Sequence, residues 1–170
     1  LLLITIGYTI QKWYVINTKP HSEFKVINYL NYNNIQTFMP KILLNRSHAG
    51  KKDKVIKPLF PSYLFAAIDI NNSSFRKINN TFGVKSILGY GKEPAEVYNV
   101  VIDSLMEITD SEGLVKNIDK SYYNIGQEIK INDGPFMGFV GKFCGMKDDQ
   151  RVMILLNILG RNLKLPLPGM

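Results

Sequence analysis

The chain has 170 residues, enough for one ordinary domain or two small ones, and it is 45% hydrophobic and 21% charged. That balance fits a globular protein and excludes a disordered one. The net charge of +7 is uneven: residues 1–108 carry 13 Lys/Arg against 7 Asp/Glu, residues 109–122 carry 2 against 3, and residues 123–170 carry 6 against 4. An acidic partner such as nucleic acid would therefore meet the N-terminal part, with plain solubility as the competing explanation.

LLLITIGYTI opens the chain. About ten apolar residues are too few to cross a bilayer, and no basic residue precedes them, so residues 1–11 are expected to be an extension without a membrane role. Lys12–Thr18 is aromatic and β-branched, the composition of a strand. Pro20 suits the first turn of a helix, and Phe24, Val26, Ile27 and Leu30 give that helix one apolar face to about Tyr32. Asn33-Asn34 ends it. Ile35–Leu44 returns to extended structure, and Asn45–Asp53 is expected to be a polar, lysine-rich hairpin tip. Tyr63–Ile68, inside the Ser62–Ile70 run, suits a central strand covered on both faces. Asn71–Ser74 can cap a short helix over Phe75–Asn80. Val84–Leu88 reads as a strand, and Tyr98–Ile108 as a helix, with Val101/Leu105 and Ile102/Met106 four apart.

This order predicts an α+β domain over residues 12–108, an antiparallel sheet with packed helices. Residues 109–122 are polar and aperiodic, and are expected to form a flexible linker. Residues 123–170 hold four short extended segments, near 127–132, 139–144, 151–156 and 161–165, the spacing of a small β-barrel.

Little in the sequence suggests catalysis. His21 and His48 have no orienting carboxylate at useful spacing, and there is no nucleotide-binding or nucleophile-elbow motif. The single cysteine, Cys144, excludes an intramolecular disulfide and a multi-cysteine zinc site, fits a reducing compartment, and reads as a small buried hydrophobe. The chain is not expected to be an enzyme or to hold a metal or cofactor.

Binding is the better prospect. Lys41–Lys57 holds six Lys/Arg against Asp53 alone, so a charged arm could reach phosphates; a solvated hairpin whose lysines deter edge pairing explains it equally well. Lys19, His21 and Lys25 form a second basic cluster where the first strand turns into the first helix. The aromatic segments Trp13-Tyr14 and Pro58–Tyr63 could anchor a protein partner or form core. Tyr14, Phe60 and Tyr63 are expected to be partly exposed, Trp13, Leu59 and Leu64 to be core.

WYVINTKP at 13–20, PLFPSYLF at 58–65, GVKSILGYG at 83–91, GQEIKINDGPFMGFVG at 126–141 and MILLNILGR at 153–161 together resemble the NusG family, in its order and at similar spacing, over about residues 12–167. The resemblance implies an N-terminal NusG domain, a flexible linker and a C-terminal KOW domain with an SH3-like β-barrel. It implies a monomeric cytoplasmic factor that binds the clamp helices of RNA polymerase, suppresses pausing and contacts the non-template DNA strand. Tyr14, Phe60 and Tyr63 match positions lining the polymerase-binding depression. Lys19 and His21, at the start of the first helix, match the DNA-facing side, to which Lys25, Arg76 and Lys77 are added. Ser74–Lys77 departs from the His and threonines of one RfaH-type pattern, so base-specific contact is not carried over. Leu159 matches the KOW partner contact, for ribosomal protein S10 or Rho, and its neighbour Ile158 is assigned with it. TKPHSE at 18–23, PLFPSYLF and MILLN look closest to the RfaH-type paralogues, which act as antiterminators. An RNA- or ribosome-binding KOW protein without polymerase contact is the alternative, and requires Tyr14, Phe60 and Tyr63 to be packed inside.

The C-terminal periodicity is compatible with two folds. Phe136, Phe139, Val140 and Phe143 lie at i, i+3, i+4 and i+7, as do Val152, Leu155, Leu156 and Leu159, so a helical hairpin also fits. Gly138, Gly141 and Gly145 each cost a helix interior about 1 kcal/mol, which favours the barrel.

Overall fold

The computed structural model describes residues 11–48, 51–69, 74–90, 93–116, 128–130 and 140–142. Residues 1–10, the cap at 71–73, residues 117–122 of the expected linker, Cys144, the segments near 151–156 and 161–165, and the partner-contact residues Ile158 and Leu159 lie outside the described residues.

Strand β1 (Lys12–Thr18) is central. It pairs antiparallel with β5 (Tyr63–Ile68) on one side and with β6 (Val84–Ile87) and the two-residue β9 (Glu96–Val97) on the other. The short β2 (Thr37–Phe38) extends the sheet beyond β5, giving the order β2-β5-β1-β6. Because strand side chains alternate, Tyr14, Ile16 and Thr18 face one way and Trp13 and Val15 the other. The first face packs with Leu64, Ala66 and Ile68 against Val26 and Leu30 of α1 (Glu23–Tyr32) and Ile78 of α2 (Ser74–Asn79). The second packs Val15 and Phe65 against Val101, Ile102 and Leu105 of α3 (Asn99–Glu107). Two apolar layers on one sheet explain why YLFAAI is apolar at every position.

The helices depart from expectation where backbone geometry intervenes. Helix α1 begins at Glu23, not near Pro20, because His21 has φ 61°, a left-handed conformation that a helix cannot continue through. It ends as expected at Asn33-Asn34, where Asn34 takes φ 58° and Ile35 N–H bonds back to the Leu30 carbonyl. Phe24, expected on the apolar face, is largely exposed; Glu23 is buried in its stead.

The expected strand Ile35–Leu44 is broken at Met39-Pro40, since Pro40 has no N–H to give a ladder. Beyond it β3 (Lys41–His48) and β4 (Lys51–Pro58) form a separate two-stranded hairpin, in register from Lys41↔Pro58 to His48↔Lys51. The strands thus run through most of the expected tip. Arg46 and Asp53 face each other there and form an ion pair, with Arg46 Nε donating to Asp53 Oδ1 at 3.0 Å. The hairpin β7 (Gly89–Tyr90) and β8 (Glu93–Pro94) was not foreseen; two-residue strands leave no periodicity to read.

Thr109–Lys116, expected to begin the linker, is folded. Asp110 Oδ1 accepts the N–H groups of Glu112 and Leu114, and Gly113 takes φ 78° in the resulting turn. Lys41 N–H donates to the Gly113 carbonyl at 2.7 Å, and Val115 N–H to the Lys41 carbonyl at 2.8 Å. The bonds to Lys41 are made by backbone groups, so the side chains gave no sign of them. Further on, β10 (Glu128–Lys130) pairs antiparallel with β11 (Val140–Lys142), inside two of the four expected extended segments.

Candidate functional site

Three tight turns meet at one end of the main sheet, and all share one geometry. In Lys19-Pro20-His21-Ser22, Ser22 N–H donates to the Lys19 carbonyl at 3.1 Å, with His21 at φ 61°. In Phe60-Pro61-Ser62-Tyr63, Tyr63 N–H donates to the Phe60 carbonyl at 3.0 Å, with Ser62 at φ 68°. In Thr81-Phe82-Gly83-Val84, Val84 N–H donates to the Thr81 carbonyl at 3.0 Å, with Gly83 at φ 95°. A positive φ at the third residue marks a type II turn, which favours Pro at the second position and Gly at the third. His21 and Ser62 hold that conformation without being glycine, at a cost of roughly 1–2 kcal/mol each.

The turns are bonded to one another. Since β5 and β6 both run antiparallel to β1, the end of β1 and the starts of β5 and β6 coincide. Thr18 N–H donates to the Ser62 carbonyl at 2.8 Å, and Lys19 N–H to the Gly83 carbonyl at 2.8 Å. Glu23, only 5% exposed, accepts the Ser62 N–H at Oε1 at 2.8 Å. A Cβ on Gly83 would meet Ser22 Cβ and Val26 Cγ2 at 3.0 Å, so this turn is seated tightly on the start of α1. Glu23 is a site residue that sequence reasoning missed. A lone carboxylate in a first helical turn reads as a partner of the helix dipole, which hid its bond to a turn 39 residues away.

The expected aromatic residues do not share one surface. Tyr14 is 2% exposed and packs on the α1/α2 face. Phe60 is 4% exposed and packs on the α3 face with half-buried Tyr63, Trp13 and Leu59. The expected partial exposure is therefore corrected for Tyr14 and Phe60 and holds for Tyr63. Successive residues on a strand covered on both faces cannot both reach solvent, and Pro61 at the turn's second position turns Phe60 back toward α3. Trp13 and Leu59 are half-buried; Leu64 is core as expected.

Burial holds both phenols above the ordinary tyrosine value of 10.0, and the Glu96 carboxylate adds to the effect at Tyr14. A raised folded-state value means that the unfolded chain loses these protons first. The stability involved is complete below pH 10.0 and is lost as pH rises through the folded-state values. Ultraviolet titration of the folded protein is expected to show a late-ionising tyrosine fraction that urea abolishes; identical folded and unfolded curves would contradict this.

The five expected DNA-contact residues, Lys19, His21, Lys25, Arg76 and Lys77, are all exposed. The turn lattice draws their two segments together: Lys19 bonds Gly83, while Asn80 N–H and Thr81 Oγ1 donate to the carbonyls of Arg76 and Lys77 at the end of α2. Lys19 Nζ lies 5.4 Å from the centroid of the Phe82 ring. Glu23, the nearest carboxylate in sequence, points inward to Ser62 and leaves the outer surface cationic.

A groove of about 510 Å³ lies elsewhere, between α1 and the Thr109–Gly113 turn, lined by Phe24, Ile27, Phe38, Met39, Lys41 and Met106 among others. It contains none of the expected site residues, and the carboxylate of Asp110 in its wall is committed to the turn. Among the described residues, no three His, Cys, Asp or Glu side chains gather as a metal site, and no helix is long and apolar enough to cross a membrane.

A family model described as "Transcription termination factor nusG" matches residues 11–106, which include all three turns. The chain is similar to the transcription termination/antitermination protein NusG of Chlamydia trachomatis, 28% identical over 160 residues, covering 88% of this chain and 87% of that protein. It is also similar to the protein of the same name in Rickettsia typhi, 25% identical over 162 residues, covering 89% and 84%. A solved structure of Thermotoga maritima NusG aligns at TM-score 0.43 and 19% identity over 78% of each chain. The family model spans more than half of the 170 residues, and the chain belongs to the NusG family.

Proposed function

We propose that this chain is a transcription elongation and antitermination factor of the cytoplasm that binds RNA polymerase with its N-terminal domain. The observation that carries the reading is the family match over residues 11–106, which encloses the aromatic turn Phe60–Tyr63. In this reading Tyr63, half-buried beside Trp13 and Leu59, touches the clamp helices, and Phe60 supports it from inside, while Tyr14 lies on the opposite face of the sheet. Lys19, His21, Lys25, Arg76 and Lys77 run along the non-template DNA strand, as exposed cations suited to phosphate contact. Residues 123–170 serve as a KOW module that recruits ribosomal protein S10 or Rho through Ile158 and Leu159.

Co-purification of the full chain with RNA polymerase tests this. Tyr63→Ala is expected to weaken the association by about 2 kcal/mol or more, the effect of a hot-spot aromatic, with an unchanged circular dichroism spectrum. Undiminished association would remove Tyr63 from the site. One observation favours a second reading, RNA or ribosome binding without polymerase: Tyr14 and Phe60 are packed inside, as that reading requires. Association with ribosomes and none with polymerase would decide for it.

A further inference from the structure

Phe82 buries little of its surface, yet the turn that carries it is bonded to its surroundings. The ring is 83% exposed, while its neighbours Thr81 and Gly83 are buried. It occupies the second position of a type II turn, the corner farthest from the strands. Three contacts fix that corner: the Val84 N–H bond to Thr81, the Lys19 N–H bond to Gly83, and the close seating of Gly83 on Ser22 and Val26. Lys19 Nζ approaches the ring at 5.4 Å, inside cation–π range, and leaves most of it open. The exposed basic side chains of the surrounding segments are Lys19, His21, Lys25, Arg76, Lys77 and Lys85, and the one carboxylate of those segments, Glu23, is turned inward.

A fixed, open aromatic ring flanked by cations has the chemistry of a stacking platform. Single-stranded nucleic acids bind proteins in this way, their bases on aromatic rings and their phosphates on lysine or arginine. A protein surface would need a wide apolar patch, whereas every charged side chain exposed in these segments is a lysine or arginine. We infer that Phe82 stacks on an unpaired base of a DNA single strand, with Lys19 and its neighbours holding the adjoining phosphates. This deepens the DNA contact proposed above and rests on it.

The test uses the full chain and a fluorescein-labelled DNA single strand containing 2-aminopurine, with RNA of the same sequence in parallel. Stacking quenches the 2-aminopurine, and anisotropy reports affinity. Wild type and Phe82→Trp are expected to bind and quench. Phe82→Ala and Phe82→Leu are expected to lose the quenching and to weaken binding about tenfold, the usual scale for removing one stacked base. Lys19→Gln should keep the quenching and lower the dependence of log affinity on log salt by about one contact. Equal binding and quenching by wild type and Phe82→Ala would overturn the platform and leave the broader DNA contact standing. No DNA binding by wild type would overturn both. Quenching with RNA alone would overturn the assignment to DNA. If Phe82→Ala loses polymerase association but keeps DNA quenching, the ring is a protein contact and the inference fails.

Discussion

Phe60→Ala is expected to lower the stability of the N-terminal domain by about 3–5 kcal/mol, measured by urea denaturation. Phe60 is 4% exposed and packs with Val15, Phe65 and the buried face of α3, so truncation would leave a cavity. Domains of this kind are stable by only about 5–15 kcal/mol, so the loss would consume much of the total. The variant would then lose polymerase association by unfolding, which is why Tyr63→Ala is the cleaner probe of that contact. A loss below about 1 kcal/mol would show Phe60 to be the partly exposed residue that its sequence context suggested.

Glu23→Ala is expected to cost about 2–3 kcal/mol, the scale for losing a hydrogen bond to a charged group that leaves a buried partner unsatisfied. The Ser62 N–H would lose its acceptor while Ser62 stayed at φ 68°, where few residues rest without support. Glu23→Gln should recover much of the loss, because the amide oxygen still accepts. Ser62→Gly should reduce the cost of Glu23→Ala, since glycine holds the turn without help. Denaturation midpoints of the wild type, the three single variants and the Glu23→Ala/Ser62→Gly double variant check this. A Glu23→Ala effect within about 0.5 kcal/mol would mean that the clamp contributes nothing.

The sequence reveals some of this architecture and hides the rest for definite reasons. Apolar spacing located α1 and α3, composition located β1 and β5, and a run of capping residues pointed to α2, each to within a few residues. Pro20 was read as a helix start and Pro61 as part of an extended segment; their turns stayed hidden because the third residues, His21 and Ser62, are not the glycine that ordinarily marks a positive φ. Glu23 was hidden because its partner is a backbone N–H, which carries no residue identity. Tyr14 was misjudged because aromatic composition says nothing about which side of a sheet is covered. TKPHSE, PLFPSYLF and MILLN suggested the RfaH-type paralogues, while the two relatives compared carry the general NusG name.

The folding of Thr109–Lys116 onto Lys41 has a mechanical consequence. A pull on the chain from beyond Lys116 would load the bonds of Lys116 to Ile108 and Glu107, at the end of α3, and the bond of Val115 to Lys41. Lys41 is the first residue of β3, so the tension would enter at the root of the β3–β4 hairpin. Such a tether would therefore load the root of the hairpin and the C-terminal end of α3 together, and couple a tilt of the one to the other.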